Sequence, residues 1–405
     1  MIYLTVNTRD PLVARDGRPF GAGQGHHMRS LDWPYPSVLA GSLRTLLGKL
    51  SRSQFDEETV AALKALSIAG PLPLARRKLF FPAARDIVFK RDETAESANK
   101  PLEVFRRRPF DLGPGEGSNM VDGLLPLQLS PAASEDFKAE TGPAFWARDT
   151  MASWLATSDG RGFAPPSNSD GIPREHLGSV LANSGYLAVP AKEQRTHVQL
   201  DPDVLTAKEG LLFSTTGLAF DHQVQVAARV NAGPEFADTV NHLSSFHPFG
   251  GERRLAHWSR AEGIEDQWTC PNIVRQALAG TPGVRMVLAT PALFGCGWKP
   301  KWLGQDLAGT VPGTGVSVRL KAAVIERWKP ISGWGLELGQ LGPKPVRRLV
   351  PAGAVYFFGV EQGEATELAD RLWLESVCDE PQDRRDGFGL ALWGVWDGKV
   401  EKGGS

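Results

Sequence analysis

The sequence Arg384-Arg385-Asp386-Gly387-Phe388-Gly389, followed by the apolar run 390–396, decides the fold of the C-terminal half. A glycine-containing basic loop that leads into a short apolar run predicts a closing strand. Upstream of this loop, residues 364–377 carry apolar side chains at helical spacing, which predicts a helix. Three further apolar runs are bounded by turn residues and predict strands: 284–289, 316–326 and 354–360.

With a short helix predicted near Lys301, the order of elements in this half is βαββαβ, the ferredoxin-like (RRM-like) pattern. The N-terminal half gives a similar order once a long insertion is removed. Its predicted elements are a strand at 2–8, a helix capped by Ser37, strands at 195–200, 211–220 and 224–230, a helix at 235–243 and a closing strand at 255–258. We therefore predict an α+β protein with two ferredoxin-like domains, residues 1–262 and 263–405.

The first domain is expected to carry two additions. Residues 67–185 have poor periodicity and many Pro and Gly residues, so we predict a long insertion there, with one helix near 143–155. Residues 193–213 alternate around a polar connection at 201–210, and this pattern predicts a projecting β-hairpin.

Composition excludes several classes of protein. The chain has 405 residues, 41% of them apolar and 22% charged, with a net charge of −1, which is ordinary for a globular protein and not that of a globally basic nucleic-acid binder. Three separated cysteines indicate neither a disulfide framework nor a Cys-based zinc site, and they suit a reducing compartment. No signal peptide or membrane-length apolar run is evident, so a cytoplasmic location without a membrane partner is expected.

The stretch between the first strand and the first helix, residues 10–21, is a candidate binding loop. Arg15 and Arg18 suit phosphate groups, because a guanidinium donates two parallel hydrogen bonds. Phe20 is able to stack on a nucleobase, and Gly21 allows close backbone approach. The alternative is a β-turn with Asp16-Gly17 at its corner and both arginines solvated.

Other candidate contacts lie on the first helix and on the hairpin. The helix that starts near Ser37 has a free N-terminus, which attracts anions, and it carries Arg44. Ordinary packing on the sheet is the alternative for this helix. Arg195, His197 and Lys208 lie on the hairpin, which either clamps a nucleic-acid backbone or is an unremarkable surface hairpin.

Histidines test whether the protein is an enzyme. His26-His27, with Arg29 close by, is the one loop pair suited to metal-independent RNA cleavage by general acid and base. An RNA contact or a surface position is the more ordinary role for such a pair. The chain has no HExxH or HxH spacing, no P-loop and no GxSxG elbow. We therefore expect no metal, no cofactor and no catalytic residue.

Several blocks together resemble the third subunit of type III-B CRISPR (Cmr) effector complexes, a member of the RAMP superfamily. The blocks are residues 15–21, 36–44, 195–197, 206–212, 249–255, 343–345, 351–358 and 387–392. They span nearly the whole chain in the expected order, whereas 67–185 shows little that matches. The resemblance implies two ferredoxin-like RAMP domains with a projecting hairpin.

The resemblance also implies a function and partners. Such a subunit binds the 5′ handle of the guide RNA (crRNA), caps the foot of the complex, and lies beside the large polymerase-like subunit and the first backbone RAMP subunit. The residues that it implies as handle contacts, together with the candidates above, are Arg15, Arg18, Phe20, Gly21, His26, Arg29, Ser37, Arg44, Arg195, His197, Lys208, Arg253, Arg254, Arg384, Arg385, Gly387, Phe388 and Gly389. Glu252 and Asp386 depart from a purely basic pattern in the two glycine-rich loops.

Two alternatives to a non-catalytic guide-RNA subunit stay open from the sequence. One is a metal-independent endoribonuclease that processes repeat RNA through His26 or His27, and the other is a protein-binding scaffold. Replacing Arg18 and Arg195 by Ala is expected to weaken handle binding more than replacing Arg76 and Arg77.

Overall fold

The computed structural model describes residues 1–15, 26–51, 54–90, 103–130, 136–159, 163, 185–335 and 342–402. In the N-terminal half the strands are β1 (Ile2–Thr8), β2 (His26–Met28), β3 (Ser67–Ala75), β4 (Lys78–Pro82), β5 (Ile87–Lys90), β6 (Glu103–Asp111), β7 (Leu127–Ser130), β8 (Phe145–Ala147), β9 (Tyr186–Leu187), β10 (Ala191–Leu200), β11 (Ala207–Ala219), β12 (Val224–Asn231), β13 (Ser244–Pro248) and β14 (Leu255–Ala261). The helices of this half are α1 (Pro36–Leu50), α2 (Glu57–Ala65), α3 (Arg148–Leu155) and α4 (Gly233–Asn241).

In the C-terminal half the strands are β15 (Gly283–Leu288), β16 (Ala308–Thr310), β17 (Ser317–Val324), β18 (Lys329–Ile331), β19 (Trp334–Gly335), β20 (Gly342–Pro343), β21 (Arg347–Leu349), β22 (Val355–Gln362), β23 (Ala391–Trp396) and β24 (Glu401–Lys402). The helices are α5 (Asn272–Ala277), α6 (Thr366–Leu372) and α7 (Pro381–Asp386), and a 3-10 turn covers Glu265–Trp268. The structure is therefore mixed α+β with antiparallel main sheets, in agreement with the predicted class.

The main sheet of the N-terminal half has the strand order β13-β14-β1-β12-β3-β4-β8-β9. Its four central strands, β14-β1-β12-β3, are antiparallel neighbours. Helices α1 and α4 cover one face of these strands, because the alternate residues Leu4 and Val6 of β1 pack with Leu43 of α1 and Phe236 of α4 in one buried cluster. The opposite face is left for the C-terminal half.

The sheet of the C-terminal half has the order β16-β17-β22-β15-β23. Its apolar residues join those of the first sheet in one continuous core, in which Leu72 of β3 and Ala227 of β12 share a cluster with Val284 and Phe357. No helix follows β15 before β17: the predicted helix near Lys301 is wrong, since residues 299–304 form turns in the structure.

The predicted start of the insertion needs correction, because residues 67–75 form β3, a central strand paired with β12. Two features hid this strand. Its residues after Ser67 are buried on both faces, so the sequence shows no alternation, and Pro71 and Pro73 are rare in central strands. The inserted chain begins at β4 and includes α3, which confirms the helix predicted near 143–155.

A buried ionic cluster joins the inserted chain to the second sheet. Asp86 is fully buried and accepts hydrogen bonds from Arg285 Nη1 (2.6 Å) and Trp154 Nε1 (2.8 Å). Arg106 and Arg285 both donate to the Trp154 carbonyl near the C-terminal end of α3, where helix carbonyls lack partners and carry partial negative charge. Desolvation lowers the pKa of both arginines, most of all that of Arg106.

The predicted hairpin is present and longer than expected. Strands β10 and β11 pair antiparallel, with residues 201–206 as the connection, and β2 adds to β11 in parallel. This three-stranded sheet is separate from the main sheet. No helix of the described residues is long and apolar enough to cross a membrane.

The three cysteines differ in access, and this difference gives a labelling prediction. Cys296 is exposed, whereas burial raises the pKa of both Cys270 and Cys378 to about 12. Because the thiolate is the nucleophile, brief alkylation near pH 8 should label Cys296 alone, and labelling of the other two should rise with pH. Peptide mass mapping measures this; equal labelling of Cys378 and Cys296 would contradict the buried position of Cys378.

Candidate nucleic-acid interface

Four chain segments meet beyond the C-terminal end of β1. Leu12 forms a bridge with Leu218 of the hairpin, Val13 with Gly251, and Arg15 with Ser30. The candidate loop after β1, the strand β2 and the first glycine-rich loop are therefore neighbours. We call this region the hairpin base, defined by residues 10–15, 26–30, 214–218 and 250–254.

Gly250 allows this close approach. It has φ of +76°, and a Cβ added there would lie 2.5 Å from the Val13 carbonyl oxygen. The neighbouring Gly251 N–H donates to the same oxygen at 2.7 Å. A side chain at Gly250 would be strained and would displace the Val13 segment, so this glycine pair positions the loop that carries Arg15.

Two exposed cations of the hairpin base have no ion pair within the described part of the chain: Arg29 and Arg253. Arg253 and Glu252 lie in the left-handed region, with φ of 50° and 58°, and form a turn. Arg254 is half-buried, and its Nε has no hydrogen-bond partner in the structure. The two free guanidinium groups are suited to phosphate oxygens.

One face of the hairpin carries Arg195 and His197. Arg195 Nε donates to Glu193 Oε1 at 2.5 Å, two residues away on the same face. The His197 ring stacks on Phe213, with centroids 5.1 Å apart and planes 17° apart, and its Nε2 contacts Thr215 Oγ1 at 2.9 Å. This face thus presents a fixed imidazole–phenyl stack beside an arginine that is already paired with Glu193.

The opposite face of the hairpin carries His27. Its Nδ1 lies 2.6 Å from Ser214 Oγ and its Nε2 lies 3.2 Å from Thr216 Oγ1. Both ring nitrogens are therefore engaged by hydroxyl groups, which positions the ring and leaves neither nitrogen uncommitted for proton transfer. Sequence reasoning missed these hydroxyls, although the run 214–216 of Ser and Thr in a polar strand was the available signal.

Lys208 lies near the tip of the hairpin, where its Nζ is 3.9 Å from Asp201 Oδ2. Around the polar residues of the tip, such as Asp201 and Asp203, five apolar side chains are exposed: Val198, Leu200, Val204, Leu205 and Leu212. Lys208 is thus at the far end of the hairpin from Arg195, which pairs in register with Thr215.

The second glycine-rich loop lies elsewhere. A Cβ on Gly387, which has φ of +90°, would lie 2.6 Å from the Ile68 carbonyl oxygen of β3. Ile68 pairs with Val230, and Val230 with Ile2, so this loop is at the N-terminal end of β1. Seven strand residues, roughly 20 Å, separate it from the hairpin base; the two glycine-rich loops do not form one surface.

The residues of the second loop are mostly inward-facing. Phe388 is 1% exposed, and Gly387 and Gly389 are buried, so this ring is not available for stacking on a base. Arg384 and Arg385 are both exposed, but Arg384 Nη1 already donates to the carbonyls of Cys378 and Asp379. Arg385 is thus the member of this loop that remains suited to an anion.

Arg44 and Ser37 have structural positions. Arg44 donates to the carbonyls of Leu63 and Leu66 and to Asp386 Oδ1, and so ties α1 and α2 to α7. The predicted cap at Ser37 is wrong, since α1 begins at Pro36 with Tyr35 as its N-cap. Arg18, Phe20 and Gly21 lie outside the described residues, as does the side chain of His26.

The described residues contain no group of three or more His, Cys, Asp or Glu side chains that could hold a metal ion.

The geometry of the interface defines the class of the protein. It is an α+β protein with an exposed hairpin and free guanidinium groups at the base of that hairpin.

Comparison with known sequences gives the family. The model of the CRISPR-associated protein family Cas_Cmr3 matches residues 4–396. The chain belongs to this family, and it is a RAMP subunit of the type III-B Cmr effector. No curated protein matches the chain.

Solved structures resemble the chain at low identity. A chain of the type III-B Cmr-beta complex bound to cognate target RNA has 14% identity and a TM-score of 0.45, covering 88% of this chain and 86% of that one. The same complex with AMPPnP gives 15% identity and a TM-score of 0.46, with the same coverage. A chain of the Csm3-Csm4 subcomplex of the type III-A complex has 8% identity and a TM-score of 0.37, covering 90% of this chain and 94% of that one.

Proposed function

We propose that this subunit binds the 5′ handle of the guide RNA (crRNA) at the hairpin base and caps the foot of the type III-B effector without catalysing a reaction. The observation that carries the proposal is the presence of Arg29 and Arg253, both exposed and without an ion pair in the described residues, on the segments that meet at the hairpin base, from which the strand carrying Arg195 and His197 projects. Guanidinium groups suit phosphate oxygens, and an aromatic stack on the hairpin suits an unstacked base of single-stranded RNA.

The strand orders support two ferredoxin-like units as the scaffold of this site. Numbering the strands of each unit in chain order, β1, β3, β12 and β14 give the spatial order 4-1-3-2, and β15, β17, β22 and β23 give the same order. A boundary near residue 262 divides them, and the hairpin and the inserted chain belong to the first unit. The second unit lacks its first helix within the described residues.

Neighbouring subunits are proposed from the family resemblance. The large polymerase-like subunit and the first backbone RAMP subunit would flank this chain, in a cytoplasmic complex. The exposed apolar side chains near the hairpin tip, with Leu205 75% exposed and Leu212 59% exposed, are suited to such a protein contact, because apolar side chains gain free energy from burial.

Co-expression tests this proposal. The chain is purified with its neighbouring subunits from cells carrying a CRISPR array, and the RNA is crosslinked and sequenced. Guide RNAs with one common 5′ end, crosslinked at residues 26–30, 195–197 or 250–254, are expected. If the RNA crosslinks only to other subunits, this chain does not bind the handle and acts as a protein scaffold.

Incubation with repeat RNA in EDTA tests the endoribonuclease alternative. We expect no cleavage, because both nitrogens of His27 are held by Ser214 and Thr216. Cleavage that disappears in His26→Ala or His27→Ala, and not in His222→Ala (an exposed histidine elsewhere), would establish the enzyme instead.

A further inference from the structure

We infer that a second hairpin, in the C-terminal half, binds single-stranded RNA by stacking a base on Trp328 between flanking cations. This Trp328 arm consists of residues 326–331 and 343–349, which include the paired strands β18 and β21. The inference goes beyond handle binding at the hairpin base, and it stands even if another subunit holds the handle.

The arm is strongly basic. Its exposed cations without an ion pair in the described residues are Arg327, Lys329, Lys344 and Arg348. Its one acidic residue among those described, Glu326, is paired with Arg85 at 3.3 Å. Four uncompensated positive charges on one short hairpin create a local potential that attracts phosphate groups, although the whole chain is nearly neutral.

Trp328 offers the stacking surface. Its side chain is 44% exposed, and the Arg348 guanidinium lies 4.7 Å from its ring centroid. This cation–π contact holds the indole in place on one side. A base that stacks on the exposed indole surface would extend the array of planar groups, which is how single-stranded nucleic acids bind without sequence preference.

The arm is firmly mounted on the fold. Arg347 makes a two-pronged contact with Asp383 of α7, at 2.8 Å for each of its Nη1 and Nη2 atoms. Ile331 and Leu349 of the paired strands are buried in the shared core. The basic and aromatic side chains therefore project from a fixed base, which lowers the entropy lost when a ligand binds.

The chemistry of the arm favours nucleic acid over a protein partner. Its large exposed apolar side chains, within the described residues, are Trp328 and Val346, which is 63% exposed. Two separate side chains do not make the desolvated apolar centre that protein interfaces use. One aromatic ring flanked by four cations is suited to one base and the neighbouring phosphate groups of a nucleic-acid strand.

The position of the arm extends the proposed path of the guide RNA. A cavity of about 150 Å³ lies between the arm and the N-terminal half, lined by Lys329 of the arm and by Asp32 and Trp33. Asp32 in turn pairs with Lys192 of β10 at 2.6 Å. A strand that leaves the hairpin base alongside β10 would therefore reach the arm without crossing the molecule.

Binding of fluorescein-labelled oligouridylate to the full chain tests the inference by anisotropy. Trp328→Ala should weaken binding by about 5- to 100-fold, the effect of removing one base stack, and Trp328→Phe should retain most of the affinity. Phe55→Ala is the matched control, since Phe55 is a similarly exposed aromatic residue outside the arm, and it should leave binding unchanged.

Salt dependence tests the cations separately. Lys329→Ala with Arg348→Ala should lower the slope of log affinity against log salt by about 1.4, that is about 0.7 for each lost phosphate contact on a single strand. Lys78→Ala with Arg275→Ala removes two exposed cations that already have carboxylate partners and should leave the slope unchanged.

Three outcomes overturn the inference. If Trp328→Ala binds oligouridylate with the affinity of the wild type, Trp328 is not a stacking site. If Phe55→Ala loses as much affinity as Trp328→Ala, the effect is not specific to the arm. If Trp328→Ala releases a neighbouring subunit from the complex while RNA affinity of the free chain is unchanged, the arm is a protein contact. Failure of handle binding is a separate result, read from crosslinks at the hairpin base.

Discussion

Asp86→Ala is expected to lower the free energy of unfolding by roughly 3–5 kcal/mol, because it leaves the buried guanidinium of Arg285 without its counter-ion. Asp86 is fully buried, and its carboxylate also accepts from Trp154 Nε1. The substitution removes both hydrogen bonds at once. It leaves two buried cations, Arg106 and Arg285, whose remaining hydrogen bonds among the described residues go to neutral carbonyl oxygens.

The size of this effect follows from where the cluster lies. Burial already lowers the pKa of Arg106 and Arg285, which shows that their charged forms are held there against a desolvation penalty. Asp86 offsets part of that penalty. Without it the inserted chain, which carries Asp86 and α3, should detach more easily from β15, which carries Arg285.

Urea denaturation followed by circular dichroism measures the change. The control is Asp370→Ala, which breaks the exposed pair of Asp370 with Arg275. The midpoint should be nearly unchanged, because exposed ion pairs contribute little to the free energy of unfolding. A midpoint of Asp86→Ala equal to that of the control would show that the cluster contributes no stability.

Arg29→Glu with Arg253→Glu is expected to weaken binding of guide RNA by about 10- to 100-fold near 0.1 M salt, since two phosphate contacts become repulsive. Both side chains are exposed at the hairpin base and have no ion pair in the described residues. The fold should be unaffected because neither side chain is buried.

A matched control distinguishes the two ends of the main sheet. Arg371→Glu with Arg385→Glu changes net charge by the same amount, and both residues line a cleft of about 670 Å³ near the N-terminal end of β1. Filter binding of the assembled subunit across a salt series compares the two variants. If the control loses as much affinity, the guide RNA is not held at the hairpin base.

Much of the fold was predictable where the sequence showed helical spacing or an apolar run bounded by turn residues. The helices α4 and α6 and the strands β15, β17, β22 and β23 all lie close to their predicted positions. In contrast, β3 was lost in the supposed insertion because Pro71 and Pro73 interrupt its apolar run and are typical of loops, although β15 and β23 are buried on both faces in the same way.

The candidate site was predictable in its residue types and not in their grouping. Gly250-Gly251 and Gly387-Phe388-Gly389 have similar sequences and both precede a closing strand, yet they lie at opposite ends of β1. Which neighbour a glycine allows to approach depends on packing between the halves, Val13 in one case and Ile68 in the other. Spacing along the chain contains no such information.

The continuous core has a consequence for folding during synthesis on the ribosome. Leu72 of β3 and Ala227 of β12 pack in the same cluster as Trp393 and Trp396 of β23. Synthesis proceeds from the N-terminus at about 5–20 residues per second, so the outer face of the first sheet stays uncovered for many seconds until the last strand emerges. A ribosome that stalls before residue 391 would release a chain with a bare apolar sheet face, which chaperones and proteases recognise, and only complete subunits would reach the assembling effector.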